Sequence, residues 1–408
     1  MAEPERLVVV GSSLAGVRAC EVLRQEGYQG SLTLVGAESE VPYDRPPLSK
    51  KLLSGEWEPD RIRLRKPDDF AALDLTLEFG RRAVALDTSN RSVTLADDTQ
   101  VPFDGLVIAT GSSPRRLPNQ PALDGVLELR TLADSLSLRD RIADGTARVV
   151  VIGAGFVGLE VAATARQKGC DVTVLEGAAA PLVRGLGAEM GVAAASVHGR
   201  HGVDLRCGVQ VRAIEGDGHR VTAVRLADDS VVPADVVVVG VGVAPAVEWL
   251  DSSGLALRDG VVCDANLCVG VTGVYAAGDC ARWPNGVFYG HDDCEMRVEH
   301  WTNAAEQGAA AARNLLASFR GGEQVPYESV PFFWSDQFES RIQFVGRAHG
   351  GDDLHVVAGS LDGAFAAVYG WEGRLRGALG VSMPKVVMPL RALIAQKAPL
   401  SSALELTQ

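Results

Sequence analysis

No C-x-x-C pair occurs in this sequence, whose seven cysteines are scattered along 408 residues. Neither a thiol pair of that kind nor a metal site is therefore expected. A long apolar run is also missing. The longest, around Val236 to Val247, is β-branched and broken by glycine, so it reads as a buried strand and turn rather than a membrane span. Positive charge is scarce: the formal net charge of −13, with no basic tail, argues against nucleic acid as a partner. The first candidate strand begins at Leu7, which leaves no room for a secretory signal, so reduced thiols in the cytoplasm are expected. No short repeat or low-complexity segment stands out. The remaining composition, 47% hydrophobic and 22% charged, is that of a globular protein, long enough for two or three domains.

Two glycine-rich turns dominate what is present. One reads Leu7-Val8-Val9-Val10-Gly11-Ser12-Ser13-Leu14-Ala15-Gly16, the other Val149-Val150-Val151-Ile152-Gly153-Ala154-Gly155-Phe156-Val157-Gly158. In each, an apolar run fit for a buried parallel strand stops at glycine and a helix-compatible stretch follows. Such a turn lets the backbone approach a pyrophosphate, whose charge then sits at the positive end of the helix. A second apolar strand follows each turn and leads to an acid, Glu38 after the first and Glu176 after the second. Both acids lie roughly 20 residues beyond the turn's last glycine, the spacing of a carboxylate that grips a ribose. One copy is weak. Two copies in one chain argue for two dinucleotides and electron transfer between them.

Further strands are expected at Ser92–Leu95, Leu106–Ala109 and Val236–Val239, and a helix over the alanine-rich stretch Asn303–Phe319. The strand Gly273–Ala277 ends at Gly278-Asp279, which places a carboxylate at the carboxyl edge of a parallel sheet, where ligands bind in such folds. There it can accept hydrogen bonds from the polyhydroxyl chain of a flavin; in isolation it would more often be a solvated turn acid. Beyond Gly321-Gly322 the texture changes, with aromatics clustered in Tyr327–Phe344 and alternation at Arg341–Val345 and Phe365–Tyr369. The expected fold is α/β, with two Rossmann-like dinucleotide-binding domains and a C-terminal α+β domain. The expected boundaries are 1–112 with 239–320 for a discontinuous FAD-binding domain, 113–238 for NAD, and 321–408 for an interface domain.

These motifs resemble those of the two-dinucleotide flavoprotein reductases, the superfamily of glutathione reductase, and within it the oxygenase-coupled ferredoxin reductases. The loop Pro42-Tyr43-Asp44-Arg45-Pro46-Pro47-Leu48-Ser49-Lys50 is similar to that group's signature. So are Ala109-Thr110-Gly111, Thr272–Asp279, Val298–Ala304 and Trp334-Ser335-Asp336-Gln337. Two positions depart from the pattern: Ser13 replaces the middle glycine of the simplest fingerprint, and Ala37 stands where many relatives carry aspartate. Disulfide reductases of this fold carry a cysteine pair beside the flavin, and the matching region Tyr43–Lys51 has none. Cys263 and Cys268 have C-x4-C spacing but lie in a β-like stretch and read as structural thiols. Electrons would then pass from the flavin directly to an external acceptor.

The resemblance implies a set of site residues. FAD would be bound by Gly11, Ser13, Ala15, Gly16, Glu38, Arg45 and Lys50. Ala83, Thr110, Gly111, Arg130, Gly278, Asp279, Val298 and Trp334 would complete its site. NADH would be held by Gly153, Gly155, Phe156, Val157, Gly158, Glu160, Glu176, Arg184 and Gly242. Lys50 and Glu160 would pair beside the flavin and tune its electrostatics, with Glu160 in the first turn of the second fingerprint's helix. Their bland readings are a solvated lysine and a glutamate favoured by the helix dipole. Glu176 at its strand end would favour NADH over NADPH, although Arg184 could soften the repulsion.

The implied activity is hydride transfer from NADH to FAD, then single-electron transfer to a [2Fe–2S] ferredoxin that supplies a cytochrome P450 or a ring-hydroxylating dioxygenase. The chain would be a monomer or weak dimer. Docking of an acidic ferredoxin to an acidic reductase would need a local basic patch, with Arg297, Arg341, Arg347 and the run Arg61, Arg63, Arg65, Lys66 as candidates. The alternatives are a rubredoxin reductase, an NADH oxidase, and a non-enzymatic redox switch resembling apoptosis-inducing factor.

Overall fold

The computed structural model describes residues 3–288 and 294–406. The chain divides into two compact units. One comprises the chain up to Asp44, Arg63–Ser113 and Ala244–Pro331; the other comprises Arg45–Ile62, Pro114–Val243 and Phe332 onward.

The first unit is built on a five-stranded parallel sheet. Arg6–Val10 lies at its centre, between Ser31–Val35 and Gly105–Ile108, with Val274–Ala276 and Thr76–Glu78 at the edges. The central strands are apolar runs because both faces are covered; Val8, Val9, Leu106 and Val107 are almost fully buried. The crossover from the first strand to the second is the helix Leu14–Gln25, which packs on the long helix Trp301–Arg320. Gly308 makes that approach possible, since a Cβ there would stand 2.2 Å from the Ala15 carbonyl oxygen. Two smaller sheets accompany it in this unit: the antiparallel Ala83–Asp87, Ser92–Leu95 and Gln100–Pro102, and Val261–Val262, Ala281–Pro284 and Glu295–Met296.

The second unit repeats the plan. Arg148–Ile152 is central, flanked by Asp171–Glu176 and Val236–Val239, all parallel, with Asp204–Cys207 and Val126–Leu127 outside. The same unit carries the C-terminal antiparallel sheet, in the order Phe332–Gln337, Ser340–Gly346, Arg374–Val381, Phe365–Trp371, Asp353–Gly359, with the helix Pro384–Ala395 against it. Both sheets contribute to one core, in which Val149, Val151 and Leu159 join Ile342, Phe344, Phe365 and Tyr369. The α/β reading with an α+β tail is thus the observed fold. The expected helix Asn303–Phe319 is present with one or two more residues at each end, as Trp301–Arg320. No helix among the described residues is long and apolar enough to cross a membrane.

Candidate functional site

Both glycine turns have the geometry that their sequences predict. Gly11 sits at φ +120°, where a Cβ would lie 2.0 Å from the Ala109 carbonyl oxygen, and a Cβ on Gly16 would lie 1.8 Å from that of Gly11. A Cβ on Gly153 or Gly158 would likewise stand 2.4 or 2.3 Å from the carbonyl oxygen of Gly240 or Gly153, whereas a Cβ on Gly155 would meet nothing within 4 Å. The outer glycines are packing requirements, and the middle one opens onto space that a phosphate can enter. The helices that follow start at Leu14 and Phe156, with Ser13 and Gly155 at the N-caps and no acid in the first turn of either. Each therefore offers the positive end of its dipole to an anion.

In the first unit Glu38, Thr110, Gly111, Gly278 and Asp279 follow the carboxyl ends of the parallel strands. Gly278, at φ +78°, faces Ala15, and its amide donates to the buried Gln307 side chain at 2.8 Å. Asp279 accepts from the Ser112 hydroxyl at 2.8 Å, so its carboxylate is held at the edge of the sheet. Thr110 donates to the Ala246 carbonyl at 2.7 Å, next to the left-handed Gly111. Glu38 accepts from the Tyr43 hydroxyl. Val298 is buried and receives the Asn303 amide. Ala83 opens the separate antiparallel sheet. Gln307, Gly308 and Ser112 were not anticipated; the first two sit in a helix whose alanine-rich pattern signals packing alone.

Beside Asp279 lies His300, the N-cap of the helix Trp301–Arg320. Burial pushes its pKa down from 6.5 to about 4, with the Asp279 carboxylate opposing. A group lowered in this way binds protons more readily in the unfolded chain. Its stabilising contribution is complete above pH 6.5 and is lost as the pH falls toward 4, by at most about 3 kcal/mol. Melting temperature should therefore drop between pH 7 and pH 5, and His300→Asn, which removes the titrating ring, should flatten that dependence. An unchanged slope in the variant would remove His300 as its source.

In the second unit the signature loop forms a short 3-10 turn, Pro46–Ser49. It is fastened by Ser135, whose hydroxyl donates to the Leu48 carbonyl at 2.7 Å, and by Thr164, which donates to that of Ser49 at 2.8 Å. Thr164 lies one turn beyond Glu160 on the helix Phe156–Lys168, so both present the same face to the loop. The Lys50 ammonium stands 2.7 Å from Glu160 Oε2. The Glu160 carboxylate also accepts from Ser49 at 2.5 Å and from Ser335 at 2.6 Å, and its side chain is only 6% exposed. Glu160 is not in the first helical turn, as its place after Gly158 suggested; it is one turn further on, where the pairing with Lys50 and two hydroxyls replaces any help from the dipole. Ser49 and Ser335 belong to two of the motifs quoted above, and a hydroxyl in each is the available signal.

Arg45 donates to the carbonyl of Arg130, which precedes a helix capped by Thr131 and Asp134. Trp334 stacks on Phe332 at 6.0 Å. Glu176 accepts from the backbone amides of Ala154 at 2.7 Å and Ala178 at 2.8 Å, so its carboxylate is fixed over the second glycine turn. Arg184 lies against the left-handed Gly242, and Phe156 packs edge-on to Phe333 at 4.6 Å, leaving Val157 exposed.

Among the residues offered for a docking patch, Arg297 has a 9% exposed side chain committed to Asp259 and Glu299, and Arg65 pairs with the buried Glu21. The Arg297 guanidinium is not left over for a partner. The cysteines are all unpaired, and burial raises the thiols of Cys263 and Cys268, which suits structural roles.

Residues 5–308 match the model of the pyridine nucleotide-disulphide oxidoreductases, and residues 332–405 that of the reductase C-terminal domain. The chain belongs to the pyridine nucleotide-disulphide oxidoreductase family. It is 38% identical to the rhodocoxin reductase of Rhodococcus erythropolis, over 97% of this chain and 90% of that protein. It is 36% identical to the ferredoxin–NAD(+) reductase component of the p-cumate 2,3-dioxygenase system of Pseudomonas putida, over 96% and 94%. The crystal structure of the covalent putidaredoxin reductase–putidaredoxin complex superposes with a TM-score of 0.90 at 34% identity, covering 97% of this chain and 94% of that one. Family membership accounts for two nucleotide turns in one chain, with FAD and NADH as the cofactors.

Proposed function

We infer that this chain is an FAD-containing NADH:ferredoxin reductase, which delivers single electrons to a [2Fe–2S] ferredoxin serving a cytochrome P450 or a ring-hydroxylating dioxygenase. The observation that carries this reading is the loop Pro46–Lys50, which meets Glu160 with a hydroxyl and an ammonium and holds no thiol. Electrons have no protein disulfide to enter and must leave to an external acceptor. The p-cumate 2,3-dioxygenase relative, which matches nearly the whole chain, is the reductase component of an oxygenase system.

Bound FAD supplies the conversion of an electron pair into single electrons. The chain's own residues bind and orient. We assign the flavin's pyrophosphate to the turn Gly11, Ser13, Ala15 and Gly16, and its polyol to Asp279, held by Ser112. Glu38, Arg45, Ala83, Thr110, Gly111, Arg130, Gly278, Val298 and Trp334 are assigned to the rest of the flavin. Gly153, Gly155, Phe156, Val157 and Gly158 take the nicotinamide dinucleotide's pyrophosphate, with Arg184 and Gly242 beside them and Glu176 accepting from its ribose hydroxyls. Lys50 and Glu160 set the charge at the reacting end. We assign residues 1–112 and 239–320 mainly to the flavin, 113–238 mainly to the nicotinamide, and 321–408 mainly to the acceptor. The cytoplasm, where seven unpaired thiols stay reduced, is the expected compartment; recovery of the native protein from an oxidising one would contradict this.

The test uses the purified flavoprotein, NADH and cytochrome c, with and without a [2Fe–2S] ferredoxin. Cytochrome c reduction should rise strongly with ferredoxin. Rapid NADH consumption by oxygen with no ferredoxin effect would indicate an oxidase instead.

A further inference from the structure

A hydrogen-bond chain runs from the Lys50–Glu160 pair to a histidine that none of the cofactor motifs contains. Ser335 and Gln337 alternate on the strand Phe332–Gln337 and so share one of its faces; both are fully buried. Ser335 Oγ lies 2.6 Å from Glu160 Oε1, Gln337 Nε2 lies 3.0 Å from Ser335 Oγ, and His198 Nε2 lies 2.9 Å from Gln337 Oε1. His198 is on the helix Ala188–Arg200 and has no exposed surface.

The chain has only one consistent direction. A carboxylate can only accept, so Ser335 donates its proton to Glu160. Its oxygen then takes the Gln337 amide N–H, which turns the amide oxygen toward His198, and His198 must carry its proton on Nε2. The other tautomer would turn the amide over and present its oxygen to Ser335. The serine would then donate to Gln337, and Glu160 would lose a donor. Burial lowers the pKa of His198, which keeps the ring neutral, and its edge packs on Phe338 at 5.2 Å.

We propose that His198 is a positioning residue: through Gln337 and Ser335 it locks the Glu160 carboxylate, and with it Lys50, in the arrangement the flavin site needs. This rests on the reading of Lys50 and Glu160 as groups at the reacting end. It predicts a function for an α-helical histidine outside both nucleotide fingerprints, exerted through three bonds.

The test compares holoenzyme carrying His198→Phe, His198→Gln, Gln337→Met or Glu160→Gln with the parent. The readouts are the rate of flavin reduction by NADH, the KM for NADH and the flavin midpoint potential. His198→Phe and Gln337→Met should each slow reduction about ten-fold with KM changed by less than about two-fold, since the lost bond serves the reacting end and not nucleotide binding. Both should lower the midpoint potential, because a less neutralised carboxylate disfavours added electrons. His198→Gln keeps an N–H donor and should restore rate and potential. If His198→Phe does not fold, Gln337→Met, close to glutamine in shape, breaks the same chain. Parent-like rate and potential in both chain-breaking variants would overturn the proposal, as would a His198→Gln enzyme as slow as Gln337→Met. A slow Glu160→Gln enzyme beside fast chain-breaking variants means that the chain alone fails. A Glu160→Gln enzyme with parental rate and potential would sink the chain and the underlying reading together.

Discussion

Glu160→Ala should slow reduction of the bound flavin by NADH about 100-fold, the scale on which removal of one preorganised charged group acts in a water-excluded site. The carboxylate is the common acceptor for Lys50, Ser49 and Ser335. Its removal leaves an ammonium and two hydroxyls without their acceptor in a pocket where water replaces it poorly. Breaking a buried ion pair from one side costs about 3–5 kcal/mol. The Lys50 side chain is 16% exposed and can turn partly to solvent, so the lower end, about 3 kcal/mol, is expected in denaturant melts. Lys50→Met should slow reduction by a similar factor yet destabilise less, because Glu160 keeps its two serine donors. Stopped-flow reduction and urea melts on the same samples separate the two effects. Reduction at the parental rate in both variants would show that the pair is structural only.

The second large effect concerns the choice of nicotinamide. Glu176→Ala should lower kcat/KM for NADH about 100-fold, the loss of two charge-assisted hydrogen bonds of about 1.5 kcal/mol each to ribose hydroxyls. NADPH should gain or hold, because the same change removes the negative charge facing its extra phosphate. The backbone amides of Ala154 and Ala178, which now donate to Glu176, would become donors for that phosphate. Steady-state kinetics with both nucleotides give the ratio directly. An unchanged ratio would mean that the carboxylate serves the glycine turn and does not select the cofactor.

Much of this site is legible in the sequence, and for a physical reason. Strand, glycine turn, helix and acid lie within one short segment, so local spacing alone positions Gly11, Gly16, Gly153, Gly158 and Glu176. The Lys50–Glu160 pair joins distant segments and was accessible only because the loop Pro42–Lys50 resembles a family signature. The chain from Glu160 through Ser335 and Gln337 to His198 was not legible. Its members come from two helices and a strand, and no periodicity tells which serine rotor faces which carboxylate. The C-terminal strands showed their alternation, but their spatial order, with Arg374–Val381 between Ser340–Gly346 and Phe365–Trp371, depends on long-range pairing. That Asp259 and Glu299 enclose Arg297 is likewise not legible, because the pair with Asp259 joins distant segments.

In the proposed reaction, electrons arriving in a pair leave singly to an iron–sulfur partner without passing through a protein thiol. The most direct measurement is anaerobic: the flavoprotein is bleached with one equivalent of NADH and then mixed with an oxidised [2Fe–2S] ferredoxin. The oxidised flavin spectrum should return with two ferredoxins reduced per NADH, unchanged after alkylation of the accessible thiols. A flavin that stays bleached, with the ferredoxin still oxidised, would contradict that reaction.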